Sequence, residues 1–337
     1  MNTKKVILVS FSNLNKDGRL QELLKICNNL GEVKIFDRSN RSIFKYIWDL
    51  FREKKCEYFV IDNRAILPIA ILFSFFKKPK YIIQDCREMY FFEEQKTLKS
   101  KIGCIFEKIM IKKATIVLTA NQYRARIMKK YYSLKKQPIV FENIRYLEIK
   151  KISEELKNKY NYLDNLKTFK IVSTAGYKYT PVEEKLVDEV SKLENVDLFF
   201  IGTEKINNKE IFNKNIHFLP KLSLEELKVV LGKMDAGYVG YDIVNLNTKY
   251  CASGKVYEYL YEKLPILAYK NIPLKLFVEE NKIGLSGDNF KELIEKLQNN
   301  YEYYKENTIK LKNELETLKK NNEKNITLEI LNIINSL

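Results

Sequence analysis

Short runs of β-branched and aromatic residues alternate with amphipathic segments along most of the chain. KKVILVSFS (4–12) predicts a buried strand, and GRLQELLKICNNLG (18–31) predicts a helix with one apolar face, closed by Gly31. EVKIFD is a second strand, RSIFKYIWDLFREKK a second helix and CEYFVID a third strand. AILPIAILFSFFKKPK, KYIIQD, a helical stretch over 94–113, ATIVLTA, a helix over 121–133 and PIVFENI continue the series. Strand and helix alternating at this rate predict a parallel sheet with right-handed crossovers over residues 1–150.

The polar stretch YLEIKKISEELKNKYNYLDNLKTF then interrupts the pattern, and residues 151–168 are expected as a linker region. Alternation restarts with FKIVSTAG, DLFFIG, IHFLP, AGYVGY and LPILAY as strands and with helices over 182–193, 223–233, 253–263 and 273–281. From Asn289 onward the pattern is helical, with i,i+4 Glu/Lys pairing along LKNELETLKK. The expectation is an α/β chain of two Rossmann-like domains, 1–150 and 169–320. Ligands of doubly wound sheets bind outside the carboxyl ends of the strands, so function is expected in a cleft between the domains.

Composition narrows the class. With 45% hydrophobic and 12% aromatic residues the chain can bury two cores, and 11 Gly and 7 Pro are too few for a collagen-like or linker-like chain. The five cysteines form no C-x-x-C pair and His217 is the single histidine, which argues against a zinc centre and for reduced thiols in the cytosol. Lys4 and Lys5 lead straight into a strand-like run without a signal-peptide pattern, so a cytoplasmic location is expected.

Charge is polarised. Residues 1–150 hold 31 Lys and Arg against 15 Asp and Glu, a net +16, whereas residues 151–337 hold 28 of each. The first half therefore offers a basic body to nucleic acid, anionic lipid or a phosphorylated substrate. QYRARIMKKYYSLKK (122–136) concentrates cations among aromatic and aliphatic residues. AILPIAILFSFF, flanked by KKPK, is too short to cross a bilayer; it is either a buried crossover helix or a site of shallow membrane contact.

The most informative segment is AGYVGYDIVNLNTKYCASGKVYEYLYEKLPILAY, 236–269. Ser253 and Gly254 precede a strong helical run, so Ser253 can cap it while the first amides, with Lys255 in the same turn, form a seat for phosphate. Glu258, one turn after Gly254, can accept hydrogen bonds from a ribose diol, and Tyr257 and Tyr259 are expected to pack. The residues alone leave a plain helix cap and a phosphate seat both open. His217, in NIHFLP, reads as strand packing, which leaves no imidazole base and excludes a Ser-His-Asp scheme.

A-S-G-K-V-Y-E-Y-L-Y-E-K-L-P-I-L resembles the C-terminal signature of GT-B glycosyltransferases, particularly family 4. The approach through GYVGYD, with Tyr241, and NTKYC is similar to that family's, LNKDGRLQELLKICNNLGEVKIFD resembles its opening D-x-R segment, and IIQDCREMY its D-x-H-E segment. The resemblance spans most of residues 4–285 and is most specific over 250–266. It implies transfer of a sugar from a nucleotide diphosphate to a glycan or lipid-linked acceptor, with retention, without a metal or other cofactor. Such a hexosyltransferase would work in bacterial surface polysaccharide synthesis. It would sit in the cytoplasm or on the anionic inner face of the membrane, with the helix over 321–337 crossing back to the first domain.

Carried over residue by residue, the resemblance puts Gly176, Tyr241, Ser253, Gly254, Lys255 and Glu258 on the donor and pairs Gly176 with Lys178 in STAGYKY. It puts Asp17, Arg19, Asp85 and Glu88 on the acceptor side; Asp17 and Arg19 read equally well as a cap and first-turn residue of the first helix. Two positions depart from the pattern: Arg87 stands at the histidine of D-x-H-E, and Tyr250 at the first Glu of E-x7-E. Arg87, Lys178 and Lys255 are then the cations expected to stabilise charge on the departing diphosphate. The alternatives are a catalytically inactive partner subunit, a nucleotide-sugar epimerase and a basic nucleic-acid-binding protein. The last lacks a recognition module.

Overall fold

In the computed structural model, which describes residues 4–38, 42–144, 149, 151–203 and 214–337, the β-branched runs pair in parallel as two separate six-stranded sheets. The chain divides into two units, Met1–Asn143 with Thr317–Leu337, and Ile144–Glu316.

The first unit runs β1 (Lys5–Val9), α1 (Gly18–Leu30), β2 (Glu32–Phe36), α2 (Ile43–Phe51), β3 (Tyr58–Asp62), α3 (Leu67–Lys77), β4 (Tyr81–Cys86), α4 (Leu98–Lys113), β5 (Ile116–Thr119), α5 (Gln122–Tyr131) and β6 (Ile139–Val140). The sheet order is β2-β1-β3-β4-β5-β6. Alternation along each strand divides the core between the two faces of the sheet. Ile7, Val9, Phe59 and Ile61 pack against Tyr46 and Leu50 of α2, Phe73 of α3 and Met110 of α4. Val6, Leu8, Tyr58 and Val60 pack against Leu20, Leu23 and Ile26 of α1 and against Ile326, Ile330 and Ile334 near the carboxyl terminus. Side-chain caps start α1, α2, α4 and α5, from Asp17, Ser42, Thr97 and Asn121.

The second unit contains α6 (Glu154–Lys159), β7 (Phe169–Ser173), α7 (Pro181–Val190), β8 (Val196–Ile201), β9 (Ile216–Leu219), α8 (Leu224–Leu231), β10 (Ala236–Val239), α9 (Leu246–Lys249), α10 (Lys255–Tyr261), β11 (Ile266–Tyr269), α11 (Ile272–Glu280), β12 (Gly284–Gly287), α12 (Phe290–Asn299) and the start of α13 (Tyr301–Asn335). Its order is β12-β11-β10-β7-β8-β9.

Three features add to or depart from the sequence expectation. Among the described residues of the expected linker region, 154–165 fold as α6 and a 3-10 turn, and Tyr160 and Leu163 are buried in the second core, so this charged stretch belongs to the second unit. Its polar surface hid two apolar anchors. GLSG forms the edge strand β12, with no β-branched residue to announce it, and a side chain at Gly284 would collide with the Ile266 backbone of β11. The terminal segment is the end of one continuous 35-residue helix, without Gly or Pro to break it, and belongs to the first unit from Thr317 onward.

Candidate functional site

In the second sheet the chain turns back between β10 and β7, so the loops that follow these two strands leave in opposite directions and open a crevice at their carboxyl ends. Thr174 follows β7 there, and Gly240 to Asp242 follow β10. The first turn of α10 closes on the same place. Lys255 Nζ donates to Thr174 O at 2.8 Å and to Thr174 Oγ1 at 3.2 Å, and Thr174 Oγ1 donates to Glu258 Oε2 at 3.4 Å. The Tyr259 hydroxyl accepts from Thr174 N at 3.0 Å and donates to Tyr238 O at 3.0 Å, locking α10 to the ends of both strands.

Ser253 does not cap α10. The cap position is Gly254, helical in conformation and without a side-chain cap bond, and Ser253 Oγ instead accepts from the Tyr241 hydroxyl at 2.9 Å. The loop carrying Tyr241 is fixed by Asn271, whose amide accepts from Tyr241 N and donates to Tyr241 O and Thr248 O. Gly176, at φ 69°, is required twice over: its backbone is left-handed, and a Cβ there would lie 2.8 Å from Gly202 O. The loop continues to Lys178, whose backbone N–H donates to Glu183 Oε2 at 2.8 Å and whose side chain is exposed. Lys255, Glu258 and Tyr259 thus converge on Thr174, the Tyr241–Ser253 bond joins the loop after β10 to the residues just before α10, and Lys178 stands at the loop's exposed edge. Tyr250 ends α9, half-buried.

The first sheet reverses between β1 and β3, and its crevice holds a different arrangement. Arg87, just beyond β4, donates from Nε and Nη2 to both Asp62 oxygens at 2.6 and 2.8 Å, and from Nη1 to Asp17 Oδ2 at 2.6 Å. Asp62 ends β3 and also accepts from Ser10 Oγ at 2.6 Å. Burial opposes the Arg87 charge, but the Asp62 and Asp17 carboxylates outweigh it and raise its pKa further. Burial raises the Asp62 pKa against the pull of Arg87, while at Asp17 Arg87 overcomes burial and the pKa falls.

The Arg87 guanidinium, expected from the sequence as a cation near the sugar or acceptor, is thus ion-paired to two carboxylates of its own unit. Asp17 caps α1, with Oδ1 accepting from Leu20 N at 3.0 Å. Arg19 and Asp85, expected on the acceptor side, pair with each other. They form a buried two-point ion pair at 2.7 and 2.6 Å, with Arg19 Nη1 on Phe141 O and its guanidinium 4.2 Å from the Phe141 ring centroid. Glu88 is exposed, with Arg124 Nη2 3.4 Å away.

Behind this crevice Glu107 is buried, 3.8 Å from Arg64 Nε, and burial pushes its pKa up to about 8 against the Arg64 charge. His217 stacks on Phe199 and bonds Asp197 at 2.5 Å. Among the described residues no group of three or more His, Cys, Asp or Glu is arranged to hold a metal ion.

Four participants were not singled out from sequence: Thr174, Tyr259, Asp62 and Asn271. Asp62 and Thr174 carry a usable signal, a polar residue ending or following an apolar strand at a sheet reversal. Tyr259 was expected only to pack, and its hydroxyl bond needed the fold. Asn271 looks like any loop asparagine.

No model of a known protein family matches the chain, and no curated protein matches it. Solved structures match its fold. A sucrose-phosphate synthase from Thermosynechococcus elongatus is 10% identical with a TM-score of 0.72, over 99% of this chain and 98% of that one. The Anabaena protein Alr3699/HepE, in complex with UDP-glucose, is 11% identical with a TM-score of 0.68, over 99% of this chain and 100% of that one. A putative UDP-N-acetylglucosamine 2-epimerase from Listeria monocytogenes is 11% identical with a TM-score of 0.54, over 90% of each chain. At these identities the likeness establishes architecture: the chain has the GT-B fold, two α/β units built on parallel six-stranded sheets.

Proposed function

We propose that the protein is a glycosyltransferase that moves a hexose from a nucleotide diphosphate to a glycan or lipid-linked acceptor with retention. One observation carries the reading: Lys255 and Glu258 both bond Thr174 at the reversal point of the second sheet, where the Tyr241–Ser253 bond joins the loop after β10 to the residues before α10. That is the place where doubly wound sheets bind ligands. The group also has the right chemistry, with an uncapped helix start and a lysine for phosphates and a carboxylate for a ribose diol. The Anabaena protein of the same fold holds UDP-glucose, which supports a nucleotide sugar as donor.

In this reading Ser253, Gly254 and Lys255 take the diphosphate, Glu258 the ribose, and Gly176 and Lys178 the loop facing the donor. The bond from the anomeric carbon to the β-phosphate oxygen breaks, and the bond to the acceptor oxygen forms on the same face. The acceptor proton passes to the departing phosphate oxygen, so no protein base is needed. Lys255 and Lys178 stabilise the charge that develops there. No metal enters the scheme. The first unit takes the acceptor along the exposed edge near Glu88. Its positive charge suits a lipid-linked acceptor at the anionic inner face of a bacterial membrane, within surface polysaccharide synthesis.

The test is incubation with a panel of UDP- and GDP-hexoses, with and without acceptor. Release of nucleoside diphosphate supports the reading. A nucleotide sugar returned epimerised, as the Listeria likeness would have it, or no stabilisation by any member of the panel, contradicts it.

A further inference from the structure

The outer surface of the first unit is apolar where it should be polar. α2, α3 and α4 lie on one face of the first sheet, joined through a shared core, and ring contact links Phe51 of α2 to Phe76 of α3 at 6.4 Å. Each of these helices buries one side against the sheet, yet each carries a second apolar row on the opposite side. On α2, Phe44 and Trp48, one turn apart, are 82% and 66% exposed. On α3, Phe75 and Phe76 are 66% and 65% exposed, one turn after exposed Leu72. On α4, exposed Leu98, Ile102, Ile105 and Ile109 repeat at helical spacing. Exposed apolar residues scattered singly are ordinary; three aligned rows on neighbouring helices are a contact surface.

Charge selects the partner. Lys45, Lys78 and Lys108 are exposed among these rows, and the whole +16 excess of the chain lies in residues 1–150. A second copy would bring two basic faces together. A nucleic acid would leave the aliphatic row of α4 unsatisfied. An anionic bilayer meets both demands at once, with lysines at the headgroups and aromatic rings at the acyl boundary. No helix among the described residues is long and apolar enough to cross a membrane, so this contact is lateral. We infer that α2, α3 and α4 form a membrane-docking face that seats Phe44, Trp48, Phe75 and Phe76 at the headgroup level of an anionic leaflet. The inference rests on the peripheral location proposed above and gives that location a surface.

Trp48 is the single tryptophan of the chain, so its emission reports this face alone. The experiment mixes the full chain with vesicles of phosphatidylcholine containing 30 mol% phosphatidylglycerol, reading co-flotation, Trp48 emission and the oligomeric state without lipid. The expected result is a monomer whose Trp48 emission shifts to the blue and is quenched by acyl-brominated lipid. Affinity should fall at least tenfold in Phe75→Ser/Phe76→Ser and at least tenfold in vesicles lacking phosphatidylglycerol. Flotation with unchanged Trp48 emission would overturn this face while leaving a peripheral location intact. A lipid-free dimer with Trp48 already blue-shifted would replace the membrane with a second copy. Absence of flotation from a preparation that still releases nucleoside diphosphate from a nucleotide sugar would overturn the docking face and the location, and leave the transferase reading standing.

Discussion

The two sheets reverse at equivalent places, and the crevices opened there have been filled in opposite ways. In the first unit the crevice between β1 and β3 is stitched by carboxylates answered by arginines: Asp62 and Asp17 by Arg87, and Asp85 by Arg19. In the second unit the crevice between β7 and β10 holds a lysine that donates to the neutral oxygens of Thr174, an uncapped helix start and a half-buried carboxylate. One reversal point is cross-linked by arginine–carboxylate pairs, and at the other a lysine and a carboxylate meet on a threonine beside a helix start, the group proposed to receive the donor. Charge at a carboxyl-end crevice is therefore not by itself a sign of function.

This contrast predicts which variants lose stability and which lose turnover. The largest effect belongs to Arg19→Ala, which strands Asp85 in the interior and should cost about 3–5 kcal/mol in a denaturant titration. A loss below 1 kcal/mol would mean that the pair is solvated. Next come Lys255→Ala and Glu258→Ala, each expected to slow transfer at least tenfold at unchanged melting temperature, since a charge-assisted contact is worth ~1.5–3 kcal/mol. Arg87→Met should reverse that pattern, lowering the melting temperature while leaving the affinity for nucleoside diphosphate intact.

A pH-dependent effect follows from Glu107. Its raised pKa means that the folded protein holds a proton which the unfolded chain releases at ordinary carboxylate pH. Stability is then full in acid and declines as pH rises from the ordinary carboxylate range to about 8, and Glu107→Gln should flatten that slope in melting curves. The smallest effect is His217→Gln, which should leave turnover within about twofold, because the ring, on the outer strand β9, stacks on Phe199 and bonds Asp197 of β8. A larger loss would reopen an imidazole role.

Much of the architecture was legible in sequence, because parallel strands buried on both faces read as short apolar runs and their crossover helices as periodic ones. GLSG escaped for lack of any β-branched residue, and the stretch around Tyr160 and Leu163 because two apolar anchors are diluted by charge. The site divided along the line between motif and environment. The placing of Lys255 and Glu258 in one helix turn was readable because the helix start and its spacing are local properties. The fates of Arg87, Arg19 and Asp85 were not, because their partners lie 66 to 122 residues away for Arg19 and 25 to 70 for Arg87. A sequence shows where a charge is and not what has already neutralised it.

The central claim is that the second reversal point receives a nucleoside diphosphate. The most direct measurement is a crystal structure of the protein soaked with UDP or GDP. The account predicts phosphates within hydrogen-bond distance of the Gly254 and Lys255 amides and a ribose diol on Glu258. Nucleotide bound anywhere else, or that helix start walled off by its neighbours, would contradict it.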